Sequence, residues 1–132
     1  MKSTLKLLFC LVLFVSTNAN SQEQFKRTYN HIEIDYENKK DTAFFANTTF
    51  VFNYKNECDV KVYMPSGKEE LFTRVGEIYK EKRNDGVAYQ CIKTLDEDGS
   101  EVLIALYDDG YIKLLYSDSN GNLSFSLTFS NE

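Results

Sequence analysis

The sequence predicts an all-β protein: an antiparallel β-meander of about seven or eight strands, closed into a small barrel or bent into a curved two-layer sheet. Three observations carry this. First, Asp85-Gly86, Asp98-Gly99, Asp109-Gly110 and Asn120-Gly121 recur at spacings of 11 to 13 residues. Such pairs turn a chain sharply, because glycine adopts positive φ freely and Asn or Asp adopts it more readily than most residues. Second, the turns separate four apolar-rich runs, residues 87–95, 102–107, 111–116 and 123–129. Third, these runs and those before them mostly alternate with period two, as half-buried strands do.

The first 21 residues stand apart. Lys2 and Lys6 precede an unbroken apolar run at 7–15, and Ala19-Asn20-Ser21 offers small residues for cleavage before Gln22. This is the anatomy of a secretory signal peptide, and the run is far shorter than the roughly 20 residues of a bilayer helix. Cys10 lies within the run and is not read as a lipid-attachment site. The expected mature chain, 22–132, is one all-β domain exported to a periplasmic or extracellular compartment.

Without Lys2 and Lys6, thirteen basic side chains face twenty acidic ones, a formal charge of −7. Such a chain is ill suited to nucleic acid or anionic membrane surfaces, and no membrane insertion is expected after signal cleavage. The charge is uneven: residues 94–132 hold Lys113 alone against eight acids. Two cysteines remain, Cys58 and Cys91. Their even number and the oxidising destination predict a disulfide, whose 34-residue loop would stabilise by about 3–4 kcal/mol on the chain-entropy model.

The elements follow in order. Between 23 and 40, Phe25, Tyr29, Ile32 and Tyr36 have helical spacing, whereas Ile32, Ile34 and Tyr36 alternate. A strand near 32–37 is expected, preceded by a short helix or ragged arm. Phe44, Ala46, Thr48, Phe50, Phe52 and Tyr54 then share a face. After a turn at Lys55-Asn56-Glu57, Cys58, Val60, Val62 and Met64 do the same, and Pro65-Ser66-Gly67 closes a hairpin. Residues 70–75 and 78–81 predict one strand bulged at Gly76, leading to a basic turn with Lys80, Lys82 and Arg83. In the last run Leu123, Phe125, Leu127 and Phe129 point inward, and Ser124, Ser126, Thr128 and Ser130 form a wet face. Residues 102–107 are apolar on both faces, which predicts a covered layer, a cavity wall or a partner surface. The up-and-down order resembles lipocalin-like barrels in architecture alone; none of that family's motifs stands here, so no residues or function carry over.

Three classes of function remain open. The chain lacks Gly-x-Ser-x-Gly, His-Glu-x-x-His, Cys-x-x-Cys and a phosphate-cradling glycine loop. The leading expectation is therefore a small non-enzymatic binding or interaction domain. Its partner would be a protein or an apolar small molecule, met by outward aromatics such as Phe45, Tyr63 and one of Tyr107 or Tyr116. The first alternative is a β-barrel hydrolase or isomerase using His31, the single histidine, with a carboxylate; His31, Glu33, Asp35 and Glu37 would share a strand face. The second is a calcium-stabilised module. Turns at 96–99 and 118–121 fall at the same end of a meander, where Asp96, Asp98, Asp118 and Asn120 offer hard oxygen ligands. Neither turn fits the EF-hand loop, because Ala105 and Leu127 occupy its twelfth position.

Overall fold

The computed structural model describes residues 23–36, 41–55 and 59–132. Eight strands follow one another: β1 Phe25–Tyr36, β2 Thr42–Phe52, β3 Val60–Tyr63, β4 Glu69–Lys82, β5 Ala88–Leu95, β6 Glu101–Tyr107, β7 Ile112–Ser117 and β8 Leu123–Ser130. Each pairs antiparallel with the next, and β8 returns to β1 through a register from His31↔Ser130 to Tyr36↔Phe125, closing the barrel. The meander predicted from the Asp-Gly spacing is thus one closed barrel. The expected signal segment, Glu37 and Cys58 lie outside the described residues, as does most of the turn at Lys55-Asn56-Glu57.

Five of the hairpin turns share one hydrogen-bond pattern. The N–H of Met64, Arg83, Asp96, Tyr107 and Asp118 donates to the carbonyl four residues on, at 2.8–3.0 Å, and a glycine three residues on donates back to the first carbonyl. Those glycines sit at φ between +83° and +101°, while Asp98, Asp109 and Asn120 do not enter the left-handed region. The turn is therefore the three-residue kind with one left-handed glycine, and the expected help from positive-φ Asp or Asn is not used. Aspartate acts at the first position instead. Oδ1 of Asp96 accepts from the N–H of Asp98 and of Ser100, and Oδ1 of Asp118 from those of Asn120 and Asn122.

The ladders set which side chains meet inside. Ile92 pairs with Ile104, Ile104 with Leu114, Leu114 with Leu127 and Leu127 with Ile34, so one inward row runs along this part of the wall. Phe50, Phe72, Phe129, Ile104, Ile112, Leu114, Val60, Val62 and Val102 are fully buried there. Phe50 meets Phe129 edge to face at 4.9 Å and Tyr29 at 5.8 Å. The Tyr29 hydroxyl donates to the Gly110 carbonyl at 2.6 Å, tying β1 to the turn after β6. Two threonines share this interior unequally: Thr94 donates to the Val102 carbonyl at 2.6 Å, while the buried Thr48 hydroxyl has no partner among the described residues.

Three expectations need correction. The arm before Ile32 is strand throughout, because ladders with β2 and β8 supply its hydrogen bonds. Its register slips by one residue between Tyr29 and His31, so the inward phase passes from Tyr29 to Ile32 and imitates helical spacing. The outer face of β8 is wet at Ser124 alone; Ser126, Thr128 and Ser130 are buried. Ser126 lies between Leu115 and Asp35, and Thr128 between Lys113 and Glu33, and these longer neighbours bury the short side chains. The expected disulfide is not seen either: Cys91 is a free thiol on β5, facing Tyr79 and Ala105 across its ladders. The bulge at Gly76 is present, with φ +130° and a register slip between Arg74 and Ile78.

One dimension of the barrel was not foreseen. β3 has four residues, pairing with residues 49–52 of β2 and 69–72 of β4, both much longer strands. Among the described residues, no strand pairs with the β3-facing sides of 42–48 in β2 or 75–82 in β4. The turn geometry yields a first prediction. A Cβ on Gly99 would meet nothing within 4 Å, so Gly99→Ala should destabilise through backbone strain alone, by about 1–2 kcal/mol. Equilibrium urea unfolding checks this, and an unchanged midpoint would contradict the turn assignment.

Candidate functional site

Because the interior is filled by its own side chains, the chemistry available to a partner lies at the ends and on the outer wall. At one end the turns 64–68, 96–100 and 118–122 gather the acids. Lys68, Glu70, Asp96, Glu97 and Asp98 line a cleft of about 270 Å³. Its charges are largely engaged: Lys68 Nζ lies 3.2 Å from Glu70, and Glu97 Oε1 accepts the Leu71 N–H at 3.2 Å. Beneath them Tyr116 stacks on Phe125 at 4.5 Å. Burial pushes the Tyr116 hydroxyl far above its ordinary range, and the carboxylates of Glu70 and Asp96 add to the effect.

The four residues considered for calcium divide between clefts. Asp96 and Asp98 line the cleft just described, whereas Asp118 lines another of about 440 Å³ with Ser100, Glu101, Ser117, Ser119 and Gly121. Asn120 gives its N–H to Asp118, and Asp96 and Asp118 each hold two backbone N–H groups of their own turn. Among the described residues no three His, Cys, Asp or Glu side chains are grouped to hold a metal ion.

His31 stands on the outer wall, where its ring meets the Phe45 ring edge to face at 5.1 Å. Ser130 Oγ lies 3.4 Å from His31 Nδ1 and donates to Glu132 Oε2 at 3.2 Å. In a nucleophilic triad the imidazole sits between the hydroxyl and the carboxylate, taking the proton from one while the other orients it. Here the serine is in the middle, so no carboxylate orients His31 through this chain. Glu33 and Asp35 share the wall with it. The Asp41 carboxyl is raised above its usual range, chiefly by its hydrogen bond with Asp35.

The two-faced strand β6 is a covered layer. Its outward Ala105 and Tyr107 are buried. Tyr89 packs on Tyr107 at 4.7 Å, the Arg83 guanidinium lies over the Tyr107 ring at 5.1 Å, and Lys93 pairs with Glu101 at 3.2 Å. Arg83 also binds Asp85 and Asp109 at 2.8 and 2.9 Å, so the basic turn is partly neutralised by structural ion pairs. The hydrogen bond from Arg83 holds the Asp85 carboxyl below its ordinary value. Burial, and then Glu81, push the Cys91 thiol up, away from the reactive thiolate.

The exposed apolar side chains collect elsewhere. Phe45 is 72% exposed and Phe44 41%, both on the stretch of β2 that β3 leaves unpaired. Beside the hairpin, Tyr36, Leu115, Leu123 and Phe125 line a groove of about 550 Å³ with Lys113, Asp35 and Asp118, over a Ser126 floor. Of the outward aromatics expected from phase, Phe45 and Tyr63 are exposed, Tyr107 is covered, and Tyr116 points inward. The open edge was missed. Its signal in the sequence was the short distance between the Lys55 turn and Pro65-Ser66-Gly67, which leaves room for only a brief strand.

The turn role of Asp118 separates it from a metal ligand. Asp118→Ala removes the acceptor of two N–H groups and should cost about 1–2 kcal/mol, while Asp118→Asn, which keeps an acceptor oxygen, should cost less. Thermal melts with calcium and with chelator check this. A calcium-dependent rise in Tm that Asp118→Asn abolishes would contradict the turn role. No family model, curated protein or solved structure matches the chain.

Proposed function

We propose that this protein is a small exported, non-enzymatic binding domain that docks a protein partner on the outside of its barrel, through the β1–β2 hairpin. One observation carries the reading: Phe44 and Phe45 stand exposed on a strand segment whose other edge is unpaired among the described residues. Aromatic side chains beside free backbone N–H and C=O groups are what strand-addition interfaces use. The packed interior supports it, since it gives a small ligand no room among Phe50, Phe72 and Phe129. So does the wiring of His31, which offers no oriented base. Export rests on the N-terminal 21 residues, whose pattern is that of a signal peptide. Charged Glu33, Lys93, Glu101 and Lys113 on the outer wall oppose insertion as a lipid-facing barrel, whose exterior carries an apolar band.

A second reading, an apolar small molecule, is favoured by the groove of Tyr36, Leu115, Leu123 and Phe125, where Leu123 is 49% exposed. Site-directed photo-cross-linking in cells that export the protein separates the readings. A photoreactive residue at position 45 should yield protein adducts, and one at position 93 on the wall should not. Equal adducts at both positions, or none at 45, would contradict docking through the hairpin.

A further inference from the structure

Among the described residues, short β3 leaves two open edges, and they are built differently. The β4 edge carries Glu77, Lys80, Glu81 and Lys82, all exposed, and is broken by the bulge at Gly76. Charges and bulges of this kind are how β-proteins keep an edge from pairing with another chain. The β2 edge has no charged residue from Thr42 to Tyr54. At its start stand Thr42, Ala43, Phe44 and Phe45, all exposed.

We propose that this edge pairs with the same edge of a second copy, antiparallel, about a twofold axis at Phe44. This rests on the hairpin being the docking element and names its occupant. Two copies of an acidic chain, formally −5 over its full length, repel one another, and an uncharged edge is where that repulsion is least. Antiparallel pairing of a strand with itself is self-complementary, so one surface serves both partners. With the axis at Phe44, Phe45 of each copy lies opposite Ala43 of the other, large against small. The register slip between Tyr29 and His31 gives β2 an extra residue at Ala46–Asn47, which ends the regular stretch there. The interface is consequently short and the association weak.

Sedimentation of the purified protein tests this. Its mass should move from one chain toward two as concentration rises to on the order of 100 µM, the range of weak interfaces. Phe45→Lys, which sets charges on the axis-proximal edge, should hold it at one chain with an unchanged melting curve, because Phe45 is 72% exposed. Phe44→Cys should form an intermolecular disulfide beyond the wild-type level. Directly opposed residues stand about 4.5–5.5 Å apart at Cα, within disulfide range. Lys80→Cys, exposed on the charged edge and paired with Gln90 rather than Cys91, should not. A monomer at every concentration overturns the self-pairing, and if position 45 still cross-links to a different protein, hairpin docking survives. A dimer that persists in Phe45→Lys, or Lys80→Cys linking as readily as Phe44→Cys, also overturns it.

Discussion

The structure depends on the filling of the barrel by its own inward side chains. Phe50, Phe72 and Phe129 supply the bulk, and Ile104, Ile112, Leu114 and three valines close the spaces between them. Burying side chains of this size contributes about 1.5–3 kcal/mol each, and closure is what brings every ladder's inward residues together. The same filling removes the barrel's usual use as a container. What remains accessible to a partner is its ends, its wall and its edges.

The ends and most of the wall are occupied with holding the fold. At the acidic end, Asp96, Asp118 and Glu97 bind backbone N–H groups. On the wall Lys61 reaches Glu69 at 2.9 Å and Tyr54 at 3.1 Å, while lying over the Tyr54 and Tyr63 rings. The hydrogen bond with Glu69, then that with Tyr54, raises the lysine above its ordinary range. Arg83 clips two turns together over Tyr107. These exposed pairs individually contribute little to stability, but they leave few charges free to act elsewhere. The hairpin of β1 and β2 differs, because Phe44 and Phe45 stand exposed on it and, among the described residues, no strand pairs with the β3-facing side of 42–48.

Much of the fold was legible because it was written in local terms. The Asp-Gly and Asn-Gly pairs marked three-residue turns, and period-two alternation placed Leu127 and Phe129 inside. Long-range register was not legible. The slip at Asn30 disguised a continuous strand as a helix, and the burial of Ser126 and Thr128 came from neighbours on β1 and β7 that are distant in sequence. The candidate surface was half visible: Phe45 could be assigned outward from its phase, but the unpaired edge beside it follows from the length of β3 relative to β2 and β4. Sequence alternation reports which face a residue occupies, not where its neighbouring strand stops.

The central claim is that the barrel closes around a filled interior and leaves the β2 edge open. Residue-resolved amide hydrogen exchange in dilute protein tests it most directly. The amides of Ile104, Leu114 and Phe129 should exchange only through global unfolding, and those of residues 42–46 that face β3 should exchange nearly as fast as in an unstructured peptide. Rapid exchange at Phe129, or core-like protection throughout residues 42–46, would contradict the account.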